Sequence, residues 1–151
     1  MPARQRVKIV SERRTRVQPV KLKFDFPSDL AQTRAVQQQI MQAVHDHGYA
    51  DDAIFGIKLS LEEALVNAVK HGNKLDPKKS VHVRAEVGAQ QVEITIEDEG
   101  PGFDRSKVPD PTADENLTKC SGRGLLLMEA YMTEVEYSNK GRRLRLLKKK
   151  N

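Results

Sequence analysis

The sequence contains no tryptophan and a single cysteine, and aromatic residues make up only 5% of its 151 residues. One cysteine excludes an internal disulfide and a cysteine-rich metal site. The first residues lack the apolar run of a signal peptide, and no segment approaches the ~20 apolar residues of a membrane span. These absences predict a cytoplasmic protein with no membrane segment. Hydrophobic residues at 38% and charged residues at 31% still suffice for one globular domain.

Positive charge is concentrated at the two ends of the chain. The formal net charge is +5, but residues 1–24 contribute +7, residues 140–151 contribute +7 and residues 25–139 contribute −9. The basic ends invite a nucleic-acid interpretation, which predicts salt-dependent DNA affinity. Because no aromatic residues or base-reading motif accompany the charge, nucleic acid is disfavoured as a partner. We interpret the ends as partner-docking or dimer surfaces, or as solvated tails.

Hydrophobic periodicity divides the chain into an arm, one domain and a long loop. Residues 1–18 are rich in charge and poor in apolar residues, which predicts a mobile basic arm. Residues 19–149 are expected to form a single domain with the order strand, two helices, two strands, loop, helix, two strands. This order predicts an α+β fold, a two-layer α/β sandwich with helices packed on one face of a mostly antiparallel sheet. The stretch 99–121 shows no period, and a loop of that length indicates a functional lid.

Alternation of apolar and polar residues, or apolar steps of three and four, sets the limits of these elements. Strands are predicted at residues 20–26, 81–87, 92–98, 133–137 and 142–147. Helices are predicted from Ser28 or Asp29 to Gly48, from Asp51 to His71, and from Gly124 to Tyr131. Gly72 and Asn73 are expected to end the second helix, since both tolerate left-handed backbone geometry.

Three short stretches contain polar residues that the fold alone does not require. The first holds Glu63 and Asn67, which stand four residues apart on a helix and share a face, with Lys70 and His71 one turn further. A carboxylate and an amide oxygen suit a hard cation such as Mg²⁺, and the carboxylate can accept a proton or orient a nucleophile. The alternative is an ordinary surface Glu and Asn, which are common at this spacing.

The other two stretches are rich in glycine. Asp98 to Gly102 directly follows a predicted strand; its glycines let the backbone approach a planar ligand and Asp98 could accept an amine proton, although Asp and Gly also make ordinary turns. Gly122, Arg123 and Gly124 stand at the start of a predicted helix. Amide donors and the helix dipole suit a phosphate there, and Arg123 adds positive charge, while a simple hinge is the alternative.

The chain resembles the Bergerat-fold ATP-binding family (GHKL, HATPase_c), because E-x-x-x-N on a helix, D-x-G-x-G after a strand and G-x-G before a helix occur in that family's order. The family groups gyrase, the heat-shock chaperone ATPase, mismatch-repair ATPases and histidine kinases. The resemblance covers residues 59–128 by motif and about 20–148 by element order. It is strongest to the small anti-sigma-factor serine/threonine kinases of bacteria, the RsbW-like branch, in the stretches LSLEEALVNAVKHGN, IEDEGPGFD and SGRGLLLMEAYMTEVEY.

This resemblance implies a role for each motif. Asn67 would hold Mg²⁺ against the ATP phosphates. Glu63 would take the proton from a partner's Ser or Thr hydroxyl or position that hydroxyl for attack, with Glu62 as the neighbouring alternative. Asp98 would bind the adenine amino group, with Gly100 and Gly102 giving room for the base. The remaining nucleotide-binding residues would be Lys70, His71, Lys119, Gly122, Arg123 and Gly124, among which Lys70, Lys119 and Arg123 are alternatives for the cation beside the γ-phosphate.

The resemblance also implies an ATP- and Mg²⁺-dependent protein kinase with two protein partners. It would sequester a sigma factor in one state and phosphorylate a small anti-anti-sigma protein of the STAS type in the other. It leaves open whether the chain forms a homodimer. The alternative function is a nucleotide-gated protein-binding regulator, in which ATP orders the lid and little or no phosphate is transferred.

Overall fold

The structure is a computed structural model that describes residues 18–102 and 122–150, without the side chain of Arg123. The arm predicted at residues 1–18 lies outside the described residues except for its last residue, and so does the predicted lid beyond residue 102. In the two described ranges, no helix is both long enough and apolar enough to cross a membrane.

Five strands form one antiparallel sheet, in which the first, second, third, fifth and fourth strands of the chain follow one another. Their alternating sequences give the sheet an apolar face and a charged face. One residue from each strand forms an apolar row across the sheet, namely Phe24, Val83, Ile96, Leu144 and Tyr137. The strands are β1 (Val20–Pro27), β2 (Ser80–Val87), β3 (Gln91–Glu97), β4 (Glu134–Ser138) and β5 (Arg143–Lys149).

Helices cover the apolar face and bury it in one core. They are α1 (Leu30–Asp46), α2 (Asp51–Val66), which continues as a π-helical turn (Asn67–Gly72, the π turn), and α3 (Gly122–Tyr131). Asp29 caps α1 by accepting a hydrogen bond from the backbone N–H of Ala31 at 2.9 Å. The fully buried residues come from both layers and include Ile40, Ile57, Met128, Ile94 and Leu146. The predicted α+β fold, with helices on one face of an antiparallel sheet, is confirmed.

The end of the second helix differs from the prediction. Asn73 keeps right-handed backbone angles (φ −85°), and the left-handed residues are Lys74 (φ 54°) and Leu75 (φ 60°). The backbone N–H of Asn73 donates to the carbonyl of Ala68 at 2.9 Å, a five-residue step that widens the helix. The expectation that Gly72 and Asn73 provide a left-handed helix stop is therefore wrong. Both residues are required instead for their tertiary contacts.

Part of the basic C-terminal end is used inside the protein. Nζ of Lys148 donates to the carbonyl of Tyr131 at 2.6 Å, at the end of α3. Nζ of Lys150 donates to the carbonyl of His47 at 2.8 Å, just after α1, and lies 4.5 Å from the ring centroid of Tyr49. Cations are favourable at helix C-termini because unpaired carbonyls point outward there. The interpretation as a solvated tail is therefore wrong for these two lysines, and the docking surface stays a prediction.

Candidate functional site

The E-x-x-x-N motif lies where α2 passes into the π turn. Glu63 is half-buried near the end of α2, and Asn67 is buried as the first residue of the π turn. Nδ2 of Asn67 donates a hydrogen bond of 3.4 Å to Oε1 of Glu63. The two side chains thus lie side by side, as the four-residue spacing predicts, and the amide oxygen of Asn67 is directed away from the carboxylate.

α3 brings the G-x-G motif to this pair. No room exists for a β-carbon at Gly124, because the carboxylate of Glu63 occupies that position. At the other end of the same helix contact, a β-carbon at Gly56 would lie 2.9 Å from Cβ of Tyr131. Gly56 and Gly124 therefore let the antiparallel helices α2 and α3 pack at short range. As a result, the N-terminal turn of α3 lies beside Glu63.

The D-x-G-x-G motif forms a loop after β3, residues 98–102, which we name the DEGPG loop. Asp98 is only 2% exposed, and its Oδ1 accepts a hydrogen bond from the backbone N–H of Gly100 at 2.9 Å. The carboxylate of Asp98 packs against Gly72 so closely that a β-carbon at Gly72 would overlap it. The loop after the third strand therefore meets the end of the helix that carries Glu63 and Asn67.

The glycines of the DEGPG loop are needed for contacts within the protein. A β-carbon at Gly100 would overlap the carbonyl of Gly72, and one at Gly102 would overlap the carbonyl of Lys140. Gly102 also has a φ of +76°, a left-handed conformation that favours glycine. These contacts give a structural reason for both glycines, and the room they would give a base stays a prediction.

Asn73 is a site residue that the sequence analysis does not assign. It is 1% exposed, and its Nδ2 donates to Oγ of Ser28 and to the carbonyl of Ser80, both at 2.9 Å. Its Oδ1 accepts the backbone N–H of Glu99 at 2.7 Å. One buried carboxamide thereby joins the end of β1, the start of β2 and the DEGPG loop. The sequence shows only an asparagine at a helix end, because its three partners lie outside that helix, 45, 7 and 26 residues away.

Arg142 also binds the DEGPG loop, and it is a second residue that the sequence analysis does not assign. Its Nε donates to the carbonyl of Gly100 at 2.7 Å, and its Nη2 donates to that of Pro101 at 3.2 Å. Its own carbonyl accepts the backbone N–H of Asp98 at 3.0 Å. The turn between β4 and β5 is therefore bound directly to the candidate site. The only available signal was a cluster of basic residues, which does not indicate this contact.

The predicted phosphate-binding residues are described only in part. Lys70 and His71 are exposed on the π turn, three and four residues beyond Asn67. Gly122 and Arg123 begin α3, without a description of the Arg123 side chain, and Lys119 lies outside the described residues. The structure thus brings together Glu63, Asn67, Gly124, Gly72, Asp98 and Gly100.

A comparison with protein-family models matches residues 26–148 to the histidine kinase-like ATPase domain. The chain belongs to this family. The matched residues include all three motifs, the strands β2 to β4, all of β5 except its last residue, and the last two residues of β1. The predicted membership of the Bergerat-fold ATP-binding family is therefore confirmed, and use of ATP is a property of the family.

Related proteins of known function identify the branch. The chain is 34% identical over 98 residues to an anti-sigma F factor of Clostridium perfringens, which covers 62% of this chain and 69% of the relative. It is 36% identical over 100 residues to the serine-protein kinase RsbW of Bacillus subtilis, which covers 61% of each protein. The chain thus spans about three fifths of the length of that kinase. These similarities confirm the resemblance to the anti-sigma kinase branch.

A solved structure supports the fold. A crystal structure of the RsbU and RsbW domains of a Mycobacterium tuberculosis protein superposes with a TM-score of 0.59 at 20% sequence identity. The superposition covers 86% of this chain and 32% of that one. At this identity the likeness concerns the arrangement of helices and strands alone.

Proposed function

We propose that this protein is an ATP-dependent serine/threonine kinase and anti-sigma factor, which phosphorylates a small anti-anti-sigma protein and sequesters a sigma factor. The observation that supports it most directly is the contact between Glu63 and Asn67, with the first turn of α3 packed against Glu63 through Gly124. This arrangement puts a carboxylate, a carboxamide and a helix N-terminus within one small volume. Phosphoryl transfer requires such positioning more than covalent chemistry by the protein.

Asn67 is suited to hold Mg²⁺ between the protein and the ATP phosphates. Its amide nitrogen is engaged with Glu63 at 3.4 Å, so the amide oxygen is the atom left to face a cation. Mg²⁺ prefers oxygen ligands and is often bound by one or two protein oxygens together with substrate phosphates. When bound, the ion would neutralise charge that develops on the transferring phosphoryl group.

Glu63 is proposed as the base for the hydroxyl of the partner. As the hydroxyl oxygen forms a bond to the γ-phosphorus, the bond between that phosphorus and the β,γ-bridging oxygen breaks and ADP leaves. The hydroxyl proton passes to the carboxylate of Glu63. Glu62, its neighbour, is exposed and five residues from Asn67, which places it about 100° further round the helix.

Asp98 and the start of α3 are proposed to bind the two ends of the nucleotide. The buried Asp98 carboxylate would accept a hydrogen bond from the adenine amino group, as the family resemblance implies. The backbone N–H groups at Gly122, Arg123 and Gly124 would face the phosphates, which suit the positive end of a helix dipole. Lys70, His71 and Lys119 stay candidates for further phosphate contacts.

The protein partners are proposed from the names of the relatives, an anti-sigma F factor and a serine-protein kinase. A test is to recover partners of the tagged full chain with Mg·ATP, with Mg·ADP and without nucleotide, and to map phosphosites on the recovered proteins. We expect a phosphorylated Ser or Thr on a small anti-anti-sigma protein, and none when Glu63→Gln replaces the wild type. Nucleotide-dependent recovery without phosphate transfer would favour the binding-regulator alternative, and absence of ATP binding would contradict both functions.

A further inference from the structure

His82 is held between two carboxylates on the charged face of the sheet. Its Nδ1 atom lies 2.6 Å from Oδ1 of Asp25, and its Nε2 atom lies 2.7 Å from Oε2 of Glu99. An ionised carboxylate only accepts hydrogen bonds, so both ring nitrogens must have a proton for both contacts to be hydrogen bonds. The geometry therefore fits the imidazolium, the charged form of His82.

Glu99 connects His82 to the DEGPG loop, of which it is the second residue. Its Oε1 accepts the backbone N–H of Ser80 at 3.0 Å, while its Oε2 contacts His82. Its own backbone N–H donates to Oδ1 of Asn73 at 2.7 Å. Both the side chain and the backbone of Glu99 are thus fixed, directly next to the buried Asp98.

We propose that protonated His82 is a positioning residue for nucleotide binding, acting through Glu99 on the DEGPG loop. This inference rests on the proposed function, since it assumes that Asp98 receives the adenine. A neutral imidazole has only one N–H, so loss of the proton removes one of the two hydrogen bonds. The contact with Glu99 is then either lost, when the remaining proton is on Nδ1, or weakened because the imidazole has no charge. In both cases the DEGPG loop is held less firmly, and nucleotide affinity is expected to fall as pH rises.

Charged groups from every neighbouring element surround His82. They are Asp25 on β1, Lys79 just before β2, Arg84 on β2, Glu97 on β3, Glu99 in the DEGPG loop and Arg143 on β5. Arg84 pairs with Asp25 at 3.1 Å, and Arg143 pairs with Glu97 at 3.3 Å. The hydrogen bond to Asp25, followed by that to Glu99, raises the pKa of His82 above the ordinary histidine value. The proton is therefore lost at a higher pH than from an ordinary histidine.

Arg142 provides a matched control on the same loop. Its guanidinium binds the carbonyls of Gly100 and Pro101. Arginine side chains in general do not lose their proton in proteins. Arg142→Gln should therefore weaken nucleotide binding at every pH without changing its pH dependence. His82→Gln should instead remove the pH dependence, because no titrating group is left at the centre of the cluster.

The test is calorimetric titration of the full chain with Mg·ADP from about pH 7 to pH 9.5, where the phosphates are ionised. We expect the wild type to lose about threefold to fivefold in affinity toward alkaline pH, since the contacts are partly exposed. His82→Gln should bind with the weaker affinity throughout, and Arg142→Gln should keep the wild-type slope. A slope that persists unchanged in His82→Gln would overturn the proposal.

A second readout needs no nucleotide and separates this inference from the proposed function. In the free protein, the backbone amide resonance of Gly100 should titrate with the same pKa as the imidazole of His82, and His82→Gln should abolish that titration. Absence of ADP binding at every pH would contradict the proposed function. If the amide resonance of Gly100 does not titrate with the pKa of the His82 imidazole, the positioning role is contradicted, whatever the nucleotide affinity.

Discussion

α2 and the π turn that extends it differ in what their buried residues contact. The regular helix buries apolar side chains such as Ile57, Leu61 and Leu65 in the core. The π turn buries Asn67 and places Gly72 against the Asp98 carboxylate of the DEGPG loop. Both parts pack apolar residues into the core, Ala68 and Val69 among them, but the π turn adds polar contacts with a distant segment. π-helical turns occur frequently at functional sites, which agrees with this division.

The largest effect is expected at the junction of the two parts. Glu63→Gln should reduce phosphate transfer to the partner by about 10²- to 10⁴-fold, because an amide cannot accept the hydroxyl proton. ATP affinity and the free energy of unfolding should change little, since the amide keeps the shape of the side chain. The measurement is the rate of partner labelling from γ-labelled ATP.

Glu62→Gln is the control for this prediction. It removes the same charge one residue away, on an exposed side chain, and should leave the labelling rate near the wild-type value. Equal losses in the two variants would assign the effect to general electrostatics, and wild-type labelling by Glu63→Gln would place the base elsewhere.

The next effect is expected at the first residue of the π turn. Asn67→Ala should lower the affinity for Mg·ATP by about two orders of magnitude or more, because even partners one step removed from a metal ligand are worth about 10- to 100-fold. The measurement is calorimetric titration with ATP in Mg²⁺ and in EDTA. The wild type in EDTA should resemble the variant in Mg²⁺. If the affinity of the variant for ATP depends on Mg²⁺ as strongly as that of the wild type, Asn67 is not a ligand of the ion.

Substitutions of two glycines, one in α2 and one in the π turn, allow a direct comparison of the two parts. Gly72→Ala forces a methyl group onto the Asp98 carboxylate, so it should displace the DEGPG loop and lower ADP affinity about tenfold or more. Gly56→Ala crowds Tyr131 between α2 and α3, where overpacking costs about 1–3 kcal/mol of the free energy of unfolding. Its ADP affinity should fall less than that of Gly72→Ala, because Tyr131 lies at the opposite end of α3 from the turn proposed to bind the phosphates. Urea unfolding and ADP titration of both variants give the comparison, and an equal loss of affinity in both would contradict it.

The sequence predicts the regular parts of the fold because their patterns are local. Apolar residues at steps of three and four define α2, and strict alternation defines β2 and β3 within a residue or two of their observed ends. The E-x-x-x-N spacing likewise puts Glu63 and Asn67 together, since four residues on a helix always share a face. For these features, no knowledge of distant segments is needed.

The parts that could not be predicted depend on contacts between distant segments. The three hydrogen-bond partners of Asn73 lie 45, 7 and 26 residues away in sequence, and those of Arg142 lie 42 and 41 residues away. The π turn, which ends directly before Asn73, likewise has no sequence pattern of its own. Counting charge at the C-terminal end gives the right net value, but it does not show that Lys148 and Lys150 bind helix ends.

The smallest effect, a change in stability, is expected far from α2. It concerns the charged cluster of His82, Asp25 and Glu99 that supports the DEGPG loop. The pKa of His82 is raised by Asp25 and then Glu99, so its contribution to stability is complete below the ordinary histidine pKa and lost as pH rises through the raised value. His82 lowers the pKa of Asp25, and the Ser80 N–H followed by His82 lowers that of Glu99. The contributions of these carboxylates are present above their ordinary pKa and are lost as pH falls through the lowered values.

The cluster should therefore stabilise the fold most between the lowered carboxyl pKa values and the raised histidine pKa. The difference in Tm between the wild type and His82→Gln should be greatest in that window and shrink at both more acidic and more alkaline pH. We expect a difference in Tm of at most about 2 °C, because water screens these charges. The side chain of His82 is 34% exposed and each carboxylate side chain is 43% exposed. A difference in Tm that stays constant across pH would mean that His82 acts through packing, in contrast to the charge-dependent role argued for it here.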